Sequence, residues 1–373
     1  MRKNEVERRL ARNLWRPALL VRGDAADGLR GVDVSGNAPA RLRDVAEVAG
    51  VHVSTASRVL NGELGRVPLS TQRRIIQAAE KLQYRPNQLA RGLKLSSTGA
   101  VGLLVPSLRN PAFSELIRGA FHRAFERNVV VLLAEDTGQS ESQEAYERLV
   151  EFGRIDGLLI ASGQFDQGLL SRLVERNLAH VFVNRPHPRS GRNVVMDEEA
   201  PGRLAAHHLL ELGHRRLGHL AGPNKLDTAR RRTRGFMTAI KAAGVTTVET
   251  TRSEYEEGAA FDAMKKLLAK KNRPTGVFVS NINQAIGGLA ALTRAGVRVP
   301  EDMSLVCCDD DPLVEFLAVP LTTIRMPLWE LGVAGVDALL AQIDGEGPSN
   351  VRLALPPILI ERASTCSIDE SNT

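Results

Sequence analysis

The sequence predicts an N-terminal all-α helix-turn-helix headpiece followed by an α/β body of two Rossmann-like lobes built on parallel sheets. Three observations favour this fold class. A chain of 373 residues exceeds what one hydrophobic core usually holds. Residues 41–62 contain two short amphipathic segments joined only by the letters AGV. From residue 100 onward, apolar runs alternate with amphipathic helical patterns, as in parallel sheets covered by helices on both faces.

Composition narrows the classes of function. Hydrophobic residues make up 43% of the chain and charged residues 25%, as in ordinary globular proteins. The sequence contains no run of about 18 apolar residues that would predict a membrane span. Its three cysteines give neither a disulfide framework nor a CxxC metal pair. We therefore expect a cytoplasmic protein with no membrane partner.

Positive charge is concentrated near the N-terminus. The net charge is +6, and residues 41–94 alone hold ten Lys or Arg residues against four Asp or Glu residues. Residues 1–40 are also basic, so the remainder of the chain is mildly acidic. A basic module beside an acidic body is typical of a protein that binds a polyanion.

Five segments are expected along the chain. They are a mostly disordered extension at 1–40 with a short helix over 5–14, a helix-turn-helix domain at 41–83, a hinge helix and linker at 84–98, a two-lobed body at 99–365 and a flexible tail at 366–373.

The first headpiece helix is indicated by four apolar residues at helical spacing: Leu42, Val45, Ala46 and Ala49. Gly50 follows as its stop. A second helix, from about 53 to 61, buries Ala56, Val59 and Leu60. Its outward face carries the polar residues Ser54, Ser57, Arg58 and Asn61. Such a helix can enter the DNA major groove and read base edges, although similar helix pairs also occur in proteins that do not bind DNA.

A third helix closes the predicted headpiece core. The segment LSTQRRIIQAAEKLQY begins with Ser70 as the expected N-cap. Its buried face is expected to contain Ile75, Ile76, Ala79 and Leu82.

The segment YRPNQLARGLKLSSTG, residues 84–99, is expected to connect the headpiece to the body. Pro86 stops the third helix, and Leu89, Ala90 and Leu93 form a short amphipathic segment that is too short to be stable alone. Gly92 lowers its helix propensity by about 1 kcal/mol relative to Ala. A segment that folds when docked suits the DNA minor groove. The alternative is an ordinary interdomain linker.

Five motifs occur in order along the chain: LRDVAEVAGVHVSTASRVLNG, YRPNQLARGLK, GHRRLGHLAGP, RRTRGF and LTTI. Together they resemble the lactose-repressor/galactose-repressor family of bacterial regulators over roughly residues 41–365. The resemblance implies a periplasmic-binding-protein-like pair of lobes with a small molecule in the cleft. It also implies that Val53, Ser54 and Arg58 read bases, that Ala90 and Leu93 meet the minor groove with Leu93 as the wedge, and that Thr55, Ser57, Asn61 and Asn87 hold phosphates or nearby edges.

One headpiece residue departs from the family pattern. His52 stands where the family usually places the Ser or Thr that caps the recognition helix. Ser54 lies too far along the chain to replace that cap. Either the helix start is weaker, or His52 donates to a phosphate.

Six residues are candidate effector ligands by position in the family: Phe113, Asn184, Arg185, Arg232, Asn281 and Asp309. Carboxylates accept hydrogen bonds from hydroxyls, arginine donates to oxygens, and an aromatic face covers an apolar sugar face. Each residue also has a structural alternative. Asp309 could cap a loop, Arg232 could pair with a surface acid, and Phe113 could belong to the core.

Two further departures leave the ligand open among a monosaccharide, a sugar phosphate, a purine and an unrelated compound. Ile282 stands where the family usually has Asp, and Met326 where a polar residue can occur. Either they make the pocket less polar than a sugar site, or Asn283 caps the following helix and Ile282 is simply buried.

Enzyme function is not expected. Cys307 and Cys308, the acids 309–311 and the histidines of HHLLELGHRRLGHLAG lack catalytic or metal-ligand spacing, and HExxH, GxSxG, GxxxxGK[ST] and GxGxxG are absent from the sequence. We expect no catalytic residue, no metal and no cofactor. The alternative function is a cytoplasmic small-molecule-binding protein without a DNA role.

The expected partners follow from this hypothesis. Two headpieces reading one duplex require a homodimer and an approximately palindromic double-stranded operator. A small-molecule effector, expected to be a sugar, would couple to operator binding by about 1–3 kcal/mol. The tail ERASTCSIDESNT contains no leucine heptads, so we expect a dimer without a helical tetramerisation tail.

Overall fold

The computed structural model describes residues 40–60, 67–84, 97–136, 150, 153–162 and 167–368. Residues 1–39 of the predicted extension at 1–40, Asn61, and the hinge segment with Asn87, Ala90 and Leu93 lie outside the described residues. The chain divides into two compact units, Met1–Pro86 and Asn87–Thr373.

The described residues of the first unit form three helices: α1 (Leu42–Val48), α2 (Val53–Leu60) and α3 (Leu69–Lys81). Their shared core is built from small and branched apolar side chains: Val45, Ala46, Ala49, Ala56, Val59, Ile75, Ala78 and Ala79. Because the side chains are small, three short helices pack closely enough to exclude water from one centre.

The turn between α1 and α2 follows from Gly50, which adopts a left-handed φ of +62°. Its N–H donates to the Glu47 carbonyl, and the N–H of Val51 donates to the Ala46 carbonyl. These two bonds form a Schellman motif that satisfies the last carbonyls of α1 and reverses the chain. The predicted stop at Gly50 is confirmed.

Two expectations for α3 are wrong. The helix begins at Leu69 rather than after Ser70, because Pro68 is fixed at φ −56° and its carbonyl accepts the first helical hydrogen bonds, from Thr71 and Gln72. Ile76 is 39% exposed. The buried positions are Ile75, Ala78 and Ala79, which share a face at helical spacing that Ile76 does not.

The second unit contains two α/β lobes, as predicted. The first-lobe sheet has the order β11-β5-β4-β3-β1-β2, with all pairs parallel. Its elements are β1 (Ala100–Val105), α4 (Ala112–Glu126), β2 (Val130–Glu135), β3 (Gly157–Ile160), α5 (Gln167–Glu175), β4 (Ala179–Val183), β5 (Asn193–Val195), α10 (Leu328–Ile343) and β11 (Val351–Arg352).

The second-lobe sheet has the order β12-β10-β9-β8-β6-β7. Its elements are α6 (Ala200–Glu211), β6 (Leu217–Ala221), α7 (Asp227–Ala242), β7 (Val248–Arg252), α8 (Glu257–Leu268), β8 (Gly276–Val279), α9 (Ile282–Arg294), β9 (Ser304–Cys308), a 3₁₀ helix (Pro312–Phe316), β10 (Thr322–Arg325) and β12 (Ile358–Ile360). Only β12 departs from the predicted parallel arrangement, because it returns antiparallel to β10.

The chain crosses between the lobes three times, after β5, after β10 and after β11. As a result α10, although late in sequence, packs on α4 of the first lobe. Gly119 and Gly332 lie at this helix contact, where a Cβ at either position would meet backbone of the other helix.

The body begins at a carboxylate anchor. Asp156 accepts hydrogen bonds from the Ser97 hydroxyl, from the Thr98 N–H and hydroxyl, and from the Gly99 N–H, at 2.6–2.9 Å. Burial opposes ionisation of Asp156, but these hydrogen bonds lower its pKa. Residues 97–99 are thereby fixed to the start of β3.

The end of the body is also fixed. The N–H of Cys366 donates to the Ser304 hydroxyl, and the N–H of Ile368 donates to the Leu212 carbonyl. The expected flexible tail therefore does not begin at residue 366. Residues 369–373 lie outside the described part of the chain.

Candidate functional site

The outer face of α2 carries the predicted base-reading residues. Ser54 and Arg58 are exposed, and Val53 is 37% exposed. Thr55 and Ser57 are half-buried. The face is therefore small and polar with one arginine, which suits the edges of bases in a major groove.

His52 caps this helix, which resolves one of the two alternatives drawn from the sequence. Its carbonyl accepts from the N–H of Thr55 and of Ala56. Its ring Nδ1 lies 3.3 Å from the Ser54 backbone nitrogen and 2.8 Å from the Ser54 hydroxyl. The imidazole takes the place of the usual hydroxyl cap, so the helix start is not left uncapped.

The six candidate effector residues lie where the two lobes face each other. Phe113 and the Asn184–Arg185 pair belong to the first lobe, and Arg232, Asn281 and Asp309 to the second. All six are less than 10% exposed. Asn281 Nδ2 lies 3.5 Å from the Asn110 side-chain oxygen of the first lobe. We call this region the cleft.

Two glycines bring α6 and α7 together beside the cleft. A Cβ at Gly235 of α7 would overlap the backbone of Glu199, and a Cβ at Gly202 of α6 would overlap the Arg232 carbonyl. The absence of both side chains lets the two helices meet backbone to backbone. This contact explains the glycine of the RRTRGF motif and sets Arg232 beside Glu198.

Arg232 bonds to two buried carboxylates and to a backbone carbonyl. Its Nε donates to Glu198 at 2.8 Å, and its Nη1 donates to the Ser280 carbonyl at 2.7 Å. Its two terminal nitrogens lie 3.3 and 3.4 Å from the two carboxylate oxygens of Asp309. Burial lowers the pKa of Arg232, but Asp309 and then Glu198 outweigh it and hold that pKa well above its usual value. The partners are buried acids, so the surface-acid alternative is wrong.

Asn281 and Asp309 complete this second-lobe wall. The Asn281 side-chain oxygen accepts from the Asn283 N–H and caps α9, and its Nδ2 donates to Asp309 at 3.0 Å. Asp309 follows β9 with a left-handed φ of +72°, which is uncommon for a residue other than glycine. Backbone strain of this kind is frequent at binding sites.

The first-lobe wall is built differently. Asn184 follows β4 with a φ of +68°. The guanidinium of the next residue, Arg185, lies 5.8 Å from the centre of the Phe113 ring. No carboxylate in the described part of the chain pairs with Arg185. Burial lowers the pKa of Arg185, and the charges of Glu198, Arg232 and Asp309 also act on it.

Six buried polar atoms around these two walls have no hydrogen-bond partner among the described residues. They are Asn184 Oδ1, Arg185 Nε, Glu198 Oε1, Tyr255 OH, Ser280 Oγ and Asn283 Oδ1. Burial raises the pKa of Tyr255 to about 12, so its hydroxyl keeps its proton at neutral pH. Unpartnered buried polar atoms are costly, and six of them together indicate a ligand site.

The described residues that form these two walls include two cations and two anions. Arg185 and Arg232 are matched by Glu198 and Asp309, so these four buried charges sum to zero. Three of the unpartnered atoms only accept hydrogen bonds, one only donates, and two hydroxyls do both.

Ile282 and Met326 are both buried. Ile282 belongs to the core of the second lobe, and Met326 belongs to the larger core cluster, which also contains Phe113. The helix cap is Asn281 rather than Asn283. The alternative in which Ile282 is simply buried is correct, but the proposed capping residue is wrong.

Sequence reasoning missed four cleft residues: Glu198, Tyr255, Ser280 and Asn283. Ser280 and Asn283 flank the predicted Asn281, so proximity in the FVSNINQ motif is a signal that could have found them. Glu198 follows the three-residue strand β5 and Tyr255 lies in the loop after β7, and neither belongs to a motif.

His219, Cys307 and Cys308 are buried in the second lobe. His219 lies within β6, stacked on Phe278 at 5.0 Å, and bonds to the Phe278 carbonyl and the Thr233 hydroxyl. Burial lowers its pKa to about 4 and raises the pKa of both Cys307 and Cys308. Within the described residues, no group of three or more His, Cys, Asp and Glu side chains could hold a metal. None of the described helices has the length and apolar character to cross a lipid bilayer.

Two family models match the chain. "Bacterial regulatory proteins, lacI family" matches residues 41–87, and "Periplasmic binding protein-like domain" matches residues 206–365.

Known proteins match almost the whole body and headpiece. The ribose operon repressor of Escherichia coli is 33% identical over 87% of this chain and 99% of its own length. The HTH-type transcriptional repressor PurR of Edwardsiella ictaluri is 32% identical over 87% of this chain and 96% of its own length. The structure of the Lac repressor dimer bound to operator and an anti-inducer is 28% identical, covers 88% of this chain and all of that chain, and has a TM-score of 0.76.

Family models thus match both the helix-turn-helix unit and the two-lobed body of this one chain, which does not favour a small-molecule-binding protein without a DNA role. The similar full-length proteins are transcriptional repressors. The chain belongs to the LacI family of bacterial regulatory proteins and is a sequence-specific DNA-binding repressor whose operator affinity is controlled by a small molecule.

Proposed function

We propose that the effector of this repressor is a neutral, hydroxyl-rich small molecule of the monosaccharide class, bound in the cleft. The observation that carries the proposal is the set of six unpartnered polar atoms around a charge-balanced cluster. A sugar hydroxyl both donates and accepts, so several hydroxyls satisfy Asn184, Glu198 and Asn283 as acceptors and still accept from Arg185.

An anionic effector fits this inventory less well. A phosphate or carboxylate brings acceptors only, whereas three of the six unpartnered atoms are themselves acceptors.

Known structures support the sugar class. A LacI family regulator from Enterococcus faecium with bound ribose is 27% identical, covers 72% of this chain and has a TM-score of 0.65. A regulator named CelR in complex with cellobiose is 28% identical with a TM-score of 0.66. Both ligands are neutral and rich in hydroxyls.

On the DNA side, the proposal assigns the outer face of α2 to the major groove. Val53, Ser54 and Arg58 contact bases, and Thr55 and Ser57 contact phosphates or nearby edges. Asn61, Asn87, Ala90 and Leu93 keep the roles implied by their positions in the family. The repressor acts as a homodimer on an approximately palindromic operator, in the compartment that holds the DNA.

The test is thermal unfolding of the full chain with ribose, glucose and cellobiose against ribose 5-phosphate and a purine base. A neutral sugar at 100 times its dissociation constant should add about 2.7 kcal/mol to the free energy of unfolding. The phosphate ester should add less at equal concentration. Stabilisation by the ester or the purine alone would contradict the proposed class.

A second measurement links the cleft to the DNA. The sugar that stabilises the wild type should change its affinity for a selected palindromic duplex, and Asp309→Asn should lose both responses while still binding the duplex. If the sugar stabilises the protein but leaves operator affinity unchanged, the proposed effector role is wrong.

A further inference from the structure

The start of α2 contains a hydrogen-bond pair whose direction can be deduced. His52 Nδ1 lies 3.3 Å from the Ser54 backbone nitrogen and 2.8 Å from the Ser54 hydroxyl. Both residues are exposed on the face assigned to DNA. The pair is local and does not depend on any contact outside the first unit.

The backbone partner fixes the tautomer of the ring. An amide N–H only donates, so Nδ1 must present its lone pair to Ser54, and the ring proton of neutral His52 is on Nε2. The Ser54 hydroxyl meets the same lone pair at the shorter distance. Its hydrogen must therefore point to Nδ1, and the serine oxygen is left with lone pairs only.

A serine in the major groove normally reads either kind of base edge, because its hydroxyl rotates to donate or to accept. With its hydrogen committed to His52, Ser54 can only accept. Among the major-groove edges, adenine N6 and cytosine N4 donate, whereas guanine N7 and O6 and thymine O4 accept.

We propose that His52 is a specificity-determining residue that makes Ser54 select an operator base with an exposed amino group, adenine or cytosine. The inference rests on the proposed placement of α2 in the major groove. His52 acts through Ser54 and is a positioning residue, because no contact of its own with a base is required.

The experiment uses the full chain and a palindromic duplex selected from a randomised pool of double-stranded DNA. Dissociation constants are measured for all four bases at each half-site position, in the wild type and in Ser54→Ala. The position whose preference disappears in Ser54→Ala is the one that Ser54 reads. There the wild type should favour adenine or cytosine over guanine and thymine by roughly three- to tenfold, the worth of one hydrogen bond.

Two variants of His52 separate the cap from the readout. His52→Gly removes the ring acceptor but keeps an acceptable N-cap, so the preference at the Ser54 position should fall to within about twofold while other positions are unchanged. His52→Asn supplies a side-chain oxygen that accepts from both Ser54 groups and should retain the preference.

Several results would overturn the inference. They are a wild-type preference for guanine or thymine at the Ser54 position, an unchanged preference in His52→Gly, or no Ser54-dependent position although other positions are selective. Loss of selectivity at every position in the wild type would instead contradict the proposed placement of α2, and this inference with it. Circular dichroism of each variant verifies that the headpiece helices remain folded.

Discussion

The two walls of the cleft each present one buried arginine, and the two arginines are in opposite states. Arg232 on the second-lobe wall bonds to Glu198, Asp309 and a backbone carbonyl. Arg185 on the first-lobe wall pairs with none of the described carboxylates, and its Nε has no described partner. The second wall is thus organised without a ligand, whereas the effector that we propose would complete the first wall.

A buried ion pair and a buried cation without a carboxylate partner affect the free energy of unfolding differently. A buried ion pair that is already formed stabilises the fold when its partners are present, and removing one partner leaves an uncompensated charge. A buried cation without a partner costs stability until something binds it. Substitution of the two arginines should therefore change the free energy of unfolding in opposite directions.

The largest effect is expected for Arg232→Met. It leaves Glu198 and Asp309 buried without their cation, so the free energy of unfolding should fall by about 3–5 kcal/mol in urea titrations at pH 7. The matched control is Arg231→Met, because Arg231 is the neighbouring residue and its ion pair with Asp227 is long, at 3.9 Å. The control should change stability by less than about 0.5 kcal/mol. Equal losses in the two variants would contradict the role assigned to the buried network.

The next effect is expected for Gly235→Ala, which forces α6 and α7 apart and moves Arg232 from Glu198. Overpacking at a backbone contact should cost about 1–3 kcal/mol of unfolding free energy and weaken sugar binding. Gly258→Ala is the control, because Gly258 lies in α8 with open space around its Cα. That change should be neutral or slightly stabilising. If both alanine variants behave alike in thermal unfolding, close helix contact is not what positions Arg232.

A smaller effect of the opposite sign is expected for Arg185→Met. Removing the unpartnered cation should raise the free energy of unfolding of the ligand-free protein by about 1 kcal/mol and abolish stabilisation by the sugar. The measurement is thermal unfolding with and without ligand. A loss of stability similar to that of Arg232→Met would show that the two walls do not differ.

The smallest effect is expected at Asp156, a first-lobe carboxylate outside the cleft that is satisfied by neutral donors. Its pKa is lower in the folded protein than in the unfolded chain. Its contribution is therefore present above about pH 4 and is lost as the pH falls through the folded pKa.

Asp156→Asn should lower stability at pH 7 by about 1 kcal/mol and flatten the fall in stability as the pH is lowered below about 4. Urea titrations across this range provide the measurement. A variant with an unchanged pH profile would mean that residues 97–99 are held by something other than this carboxylate.

Much of the fold and part of the cleft could be predicted from the sequence, for physical reasons. Gly50 predicts the turn after α1, because that turn needs a residue in the left-handed region. The body strands are predictable as nearly continuous apolar runs, because both faces of each sheet are covered. Arg232 and Asp309 are predicted by their positions in the family that the chain resembles, Arg232 within α7 and Asp309 directly after β9. Ile76 was misplaced because two adjacent isoleucines look alike in sequence, although helical geometry buries only one of them.

The rest depends on contacts between distant parts of the chain. Glu198 and Tyr255 reach the cleft from a crossover and from a loop, and no local pattern marks either residue. Arg185 has no carboxylate partner among the described residues because Glu198 and Asp309 bond to Arg232 instead. This division of partners can be seen only in the three-dimensional structure. The cap at His52 is not predictable from the sequence, because imidazole seldom serves as a helix cap.

The three crossovers have a consequence for synthesis of the protein. The first lobe begins at β1, yet α10 and β11, which complete it, are translated only after β6–β10 of the second lobe. Until residues 328–343 emerge, the face of α4 that packs on α10 lacks that helix, whereas the second lobe needs from later in the chain the short strand β12 and the segment after it that bonds to Ser304 and Leu212. A nascent chain therefore carries an incomplete first lobe through most of translation, when it is exposed to aggregation and to chaperones. The helix-turn-helix unit, whose described core is local, is free to fold from the start.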